Sequence, residues 1–200
     1  MVNTSMLSRQ PTQLDYADST KFVFKINKLP LVEFFTTQIN LPGISLGDVV
    51  IPSPFKEIPV QGHTLTYDNL EIQFIIDESF KNYIELHQWL VGIGFPKART
   101  QFESFRQENS DAFPTSNSTK GEATNPGSPT SASATFGDAT LIITSSKNNP
   151  LVEVRFSDIY PVSLGAIQFN QQESDVTYLT TTCTFSYKLY EIFTLSLIHI

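Results

Sequence analysis

Apolar and polar residues alternate along much of this chain, and the alternation sets out most of its elements. Phe22, Phe24 and Ile26 alternate with Lys21, Val23 and Lys25, the period of a half-buried strand. Asn27-Lys28-Leu29-Pro30 turns the chain. A second strand is predicted from about Val32 to Leu41, ending where Pro42-Gly43 supplies a restricted φ followed by a permissive one. The clearest strand runs from Leu65 to Ile76, with Leu70, Ile72, Phe74 and Ile76 on one face and Glu71, Gln73 and Ile75 on the other. Asp77-Glu78-Ser79 is placed to cap a helix, its acids at the positive end of the dipole. Phe80, Tyr83, Ile84, His87, Leu90 and Val91 then recur at three- and four-residue spacing, and Gly92 and Gly94 stop the helix.

Between Ile44 and Gly62 the pattern changes. Pro52, Pro54 and Pro59 are spaced among Ile44, Val49, Val50, Ile51, Phe55, Ile58 and Val60. Prolines at that spacing keep backbone N–H groups out of a central ladder, so the segment is expected as an edge hairpin or projecting arm. In an isolated domain its apolar side chains would form an exposed patch, and these seven residues are the candidate contacts to another subunit.

Past the helix, Lys97 to Arg106 reads ambiguously, as a short helix carrying Phe102 and Phe105. Asn109 to Thr135 is dominated by Ser, Thr, Asn, Pro and Gly, cannot offset its ordering entropy by burial, and is expected to be a flexible surface insertion. Strands resume at Ala139 to Ser145, Leu151 to Phe156 and Pro161 to Phe169, with Lys147-Asn148-Asn149-Pro150 as a hairpin turn, and a last run covers Val176 to about Ile192. Residues 1–20 are polar and unpatterned and read as an N-terminal arm. The expectation is a mainly β domain over 21–192, with seven or eight antiparallel strands and one helix, interrupted once at 109–135. Leu195-Ser-Leu-Ile-His-Ile200 matches the translated end of a common transposon-based sequencing adapter. These six residues are set aside from the fold as an expected artefact, the alternative being an apolar edge strand.

Composition narrows the function. Two hundred residues suit one domain with an insertion, large enough for a core without metals or disulfides. Sixteen Phe and seven Tyr favour pleated surfaces. Cys183, the one cysteine, alternates with Leu179, Phe185 and Tyr187 and reads as a buried structural thiol. The start lacks a signal peptide and no stretch approaches a membrane span, so no membrane anchor is expected and assembly is expected in the cytoplasm. A net charge of −7 disfavours a protein that grips nucleic acid and permits a conduit whose wall repels phosphates.

The order of these segments resembles the tail tube protein family of contractile-tailed bacteriophages. The resemblance lies in Leu41-Pro-Gly-Ile44, the Pro54 to Gly62 arm, Leu65 to Glu78 and Tyr83 to Trp89. It continues through Leu141-Ile-Ile-Thr-Ser145, Asn149 to Pro161, Leu164 to Asn170, Asp175-Val176 and Phe185 to Glu191. It covers most of 20–191 and leaves out the Ser/Thr-rich insertion. The resemblance implies two packed antiparallel sheets, sandwich- or barrel-like, with one flanking helix. It also implies six copies to a ring, rings stacked into a hollow tube, and one sheet of each subunit joined to its neighbours around the passage. The implied partners are further copies of the chain and tail sheath, tape-measure and baseplate proteins, with DNA only passing through. The implied location is the virion. A baseplate component that starts the tube and a secretion-system tube relative share the same physics.

Catalysis finds no support in the residues. His63, His87 and His199 have no ligand spacing and accompany no Cys cluster or nucleophile motif, so neither a metal nor another cofactor is expected. Asp77 and Glu78 are better read as a cap than as an acid pair. Gly92-Ile-Gly94 follows a helix where a phosphate loop would precede one. Tyr67, Asp68 and Trp89 could form a sugar platform, which keeps a monomeric carbohydrate-binding β-sandwich open as an alternative, though core packing and a turn also account for them. No convergent reactive set suggests an enzyme.

Overall fold

A computed structural model of the chain describes residues 15–101, 136–172 and 177–195. Among these residues there are nine strands and two helices. The N-terminal segment to residue 14, the 109–135 insertion, residues 196–200 and Phe102 and Phe105 lie outside the described residues.

Strands β1 (Phe22–Ile26), β6 (Gly137–Thr144), the first part of β7 (Pro150–Leu164) and β9 (Leu189–Thr194) form one antiparallel sheet. Strands β2 (Thr36–Ile39), β5 (Leu70–Ile75), β8 (Thr180–Ser186) and the last part of β7 form the other. The fold is therefore mainly β, two antiparallel sheets joined through β7. The sheets alternate as their sequences do: Phe24 and Ile26 on β1, Leu70, Ile72 and Phe74 on β5, and Cys183 and Phe185 on β8 are buried between the layers. Burial pushes the Cys183 thiol up to about 12, so it stays an inert apolar filler.

The two sheets exchange strands at one corner. β7 is a single run that pairs with β9 as far as Ser157, with β6 as far as Ile159 and with β8 from Tyr160. Asp158 between them sits at φ 54, and that left-handed residue turns the strand from one sheet to the other. β8 and β9 make the same crossing across Tyr187 and Lys188, where Lys188 N–H donates to Ser157 C=O at 3.1 Å. The predicted strands at 151–156 and 161–169 are thus one strand with a bend that ends at Leu164, and the single run predicted from 176 to 192 is divided in two.

Helix α2 (Lys81–Gly94) covers the layers with Leu86 and Trp89, both buried. The expected face is corrected: Ile84 and His87 are exposed, and Asn82, Leu86, Trp89 and Gly92 point inward. The expected Asp77-Glu78-Ser79 cap is also corrected. Phe80 in the left-handed region is the N-cap and its side chain makes no capping bond. Asn82, fully buried, instead uses its amide to reach Ile75 C=O at 2.8 Å and its carbonyl to accept from Tyr83 N–H at 2.8 Å. The helix runs through Gly92 and ends at Phe95, left-handed at φ 31, whose N–H reaches Val91 C=O.

Two further expectations change at the first half of the chain. Pro30–Phe35 forms a short helix, α1, where a strand was predicted, because Pro30 at the first turn presets the helical φ and Val32 turns into the core. Leu65–Ile76 is two strands: the chain leaves one sheet at Tyr67 and enters another at Leu70, across Asp68-Asn69.

Candidate subunit interface

Among the described residues, strands β3 (Ile44–Ile51) and β4 (Ile58–Tyr67) pair only with each other and stand apart from both sheets. Their burial pattern has no fully buried position. Two apolar groups lie along this hairpin. Near the tip, Val49 pairs with Val60 and Ile51 with Ile58, and by strand alternation the four share one face. Near the base, Ile44 pairs with Tyr67 and Leu46 with Leu65. Val50 faces the other way, opposite Pro59, and Phe55 stands in the tip loop at 99% exposure. All seven residues singled out from the sequence are exposed on this hairpin. Leu46 and Leu65, which the sequence reading passed over, are exposed beside them.

The register breaks between Leu46 and Asp48, where Gly47 and Gly62 cross. A Cβ on Gly62 would land on the Gly47 carbonyl oxygen, so only glycine permits the backbones to approach there. At the base, Asp68 N–H closes the hairpin onto Gly43 C=O at 3.0 Å. Tyr67 meets Tyr187 and Tyr190 edge-on, at ring separations of 6.3 and 5.6 Å. Tyr67, Asp68 and Trp89 do not converge on a platform: Trp89 is buried under Lys28, whose ammonium sits 5.0 Å from its ring.

Open strand edges accompany the hairpin. Among the described residues no strand pairs with the outer edge of β1, β2 or β9. β1 and β2 flank an open groove of about 520 Å³, with Phe22, Phe24 and Phe34 among its lining residues and Phe34 82% exposed. Unpaired edges of this kind are templates for another chain.

The outward faces of the two sheets differ in charge. On the β1–β6–β7–β9 sheet the face carries Lys25, Glu153, Arg155 and Glu191. Arg155 grips the Glu153 carboxylate through Nε at 2.8 Å and a second nitrogen at 3.0 Å, which holds that carboxyl below its usual range. On the β2–β5–β8 sheet the face carries Gln38, Gln73, Thr180, Thr182 and Thr184, with Glu71 as its charged member. Among the described residues no group of three or more His, Cys, Asp or Glu side chains could hold a metal ion, and no helix is long and apolar enough to cross a membrane.

A family model described as phage tail tube protein matches residues 10–193. The chain belongs to the phage tail tube protein family. Within that family setting, it is 24% identical over 184 residues to the tail tube terminator protein of Enterobacteria phage T4, covering 88% of each chain. Its fold is similar to the tube-terminating cap of the anti-feeding prophage, at TM-score 0.56 and 11% identity over 96% of this chain and 99% of that one. It is also similar to a chain of the anti-feeding prophage baseplate, at TM-score 0.55 and 9% identity over 90% of this chain and 97% of that one. The chain is therefore a structural protein of the tail-tube type.

Proposed function

We propose that six copies of this tail tube protein close into a ring around a passage for DNA and ejected proteins, with the β3–β4 arm of each copy docked on another copy. The observation that carries this reading is the arm, where two groups of apolar side chains stand exposed on a hairpin that no other strand among the described residues supports. Half-exposed Val and Ile side chains would each contribute on the order of 1 kcal/mol when covered, so several of them together make a substantial contact. Heterologous contacts of this kind close rings when the rotation closes. The face of Gln38, Gln73, Thr180, Thr182 and Thr184 suits the passage wall, because it offers phosphates no cation to bind. The mechanism is geometric, with no catalytic step, cofactor or metal. The implied neighbours are sheath, tape-measure and baseplate proteins in the virion, assembled in the host cytoplasm.

A second reading is favoured by the terminator and cap relatives: the ring closes the end of a tube and does not repeat along it. Negative-stain electron microscopy of the purified full chain, with gel filtration over a range of concentrations, separates these. Long hollow tubes support the repeating subunit. Rings that stay single at high concentration support the terminator, and a monomer at every concentration overturns the ring-forming reading.

A further inference from the structure

The foot of the arm is tied at both legs to the barrel-like body that the two sheets form. Pro42 lies just before β3 and Asp68 just after β4. Tyr190 Oη donates to the Pro42 carbonyl at 3.1 Å, and Tyr187 Oη donates to the Asp68 carbonyl at 2.8 Å. The two tyrosines come from the far end of the chain, at the corner where β8 passes into β9. Their rings pack on each other at 6.0 Å and on Phe156 at 5.2 and 5.6 Å, and Phe156 is buried in the core. Tyr67, the last residue of β4, leans on both rings. A hairpin held by one leg can swing about it; held by both, it keeps one angle.

We propose that Tyr187 and Tyr190 are positioning residues that fix the direction of the β3–β4 arm on the barrel before the arm meets any partner. An isolated two-stranded hairpin is marginal in water, and an arm that had to be ordered on contact would charge that ordering against the assembly. The clamp removes the cost in advance. Burial, followed by Tyr190, Asp68 and Tyr67 nearby, pushes the Tyr187 phenol up to about 12, so its hydroxyl stays a donor throughout the neutral range. The assembly consequence rests on the arm-docking reading above; the clamp itself does not.

The test uses the full chain with Tyr187→Phe, Tyr190→Phe and both together, which keep the rings and remove only the hydroxyls. Hydrogen exchange is followed by mass spectrometry on monomer at low concentration, comparing peptides of the arm (44–51 and 58–67) with β5 (70–75). In parallel, spin labels at Ser53→Cys in the tip and Lys25→Cys on strand β1 report the arm's distance distribution. Each lost hydroxyl is expected to speed arm exchange by about fivefold while β5 is unchanged. The double variant should broaden the distance distribution. Unchanged arm exchange and an unchanged distribution in the double variant would overturn the clamp, as would equal acceleration in β5, which marks general loosening. If the unmodified chain never assembles but the exchange and distance effects appear, the docking reading falls and the clamp stands.

Discussion

The β3–β4 arm and strand β5 are made of similar side chains and put them to opposite use. On β5, Leu70, Ile72 and Phe74 alternate with polar neighbours and each is buried. On the arm, Ile44, Val49, Ile51, Ile58 and Val60 are all exposed. Since apolar burial supplies most of folding stability, β5 works for the chain's own fold and the arm's apolar residues contribute little to it. The arm's apolar surface is a resource held for contact, and the contrast between the two regions can be broken or sharpened by substitution.

The largest effect is expected in the core. Phe74→Ala should lower unfolding stability by about 3–5 kcal/mol, read from chemical denaturation, because a fully buried ring is replaced by a void. Ile58→Asp or Val60→Asp on the arm should change that stability by no more than about 0.5 kcal/mol. Gel filtration should nevertheless find the variant chains unable to assemble; normal assembly by both would remove the arm from the contact. Gly62→Ala is intermediate. Its new Cβ meets the Gly47 carbonyl, so the arm should lose its register and its exchange protection while the barrel melts as before, which calorimetry and hydrogen exchange together would show. Coincident loss of both would mean that arm and barrel fold as one unit.

The smallest expected effect is a pH dependence at the join. The Tyr187 phenol is raised from 10 to about 12 in the folded chain. Below pH 10 it is protonated folded and unfolded, and its contacts contribute fully. Between about pH 10 and 12 the unfolded chain releases the proton first, so stability falls as pH rises through that window. Tyr187→Phe should flatten the part of the decline that belongs to this group. An identical decline in the variant would assign it to other tyrosines and lysines.

The strands that face the core were legible in sequence because one face of each is buried, which enforces alternation at Phe24 and Ile26, at Leu70 to Phe74, and around Cys183. The arm's start was legible from its prolines, but its end was not: the hairpin runs to Tyr67, past the Gly62 expected for it. What failed shares a cause: tertiary context decided it. Pro-Leu-Val-Glu-Phe-Phe at 30–35 is apolar enough for a strand, and Val32 turning into the core joins the helical φ that Pro30 presets to make it a helix. The bend at Asp158 depends on β8 and β9 crossing beside it, so β7 read as two strands. The Asp77-Glu78-Ser79 cap does not form because Asn82, inside the first turn of α2, binds the end of β5 and the Tyr83 N–H, a role visible only once strand and helix are adjacent. Tyr187 and Tyr190 lie 119 and 148 residues from the carbonyls they hold, beyond any local pattern.

The crossing of β7 and of β8–β9 between the two sheets bears on how the molecule carries load. In a sandwich whose layers meet only through side chains, a pull on one sheet is resisted by apolar contacts that can slip. Here the pull passes from sheet to sheet along two covalent backbones that run side by side through Ser157-Asp158 and Tyr187-Lys188. The arm is fastened at that same corner, so tension arriving through it enters both layers together, at the place where the barrel is least able to shear.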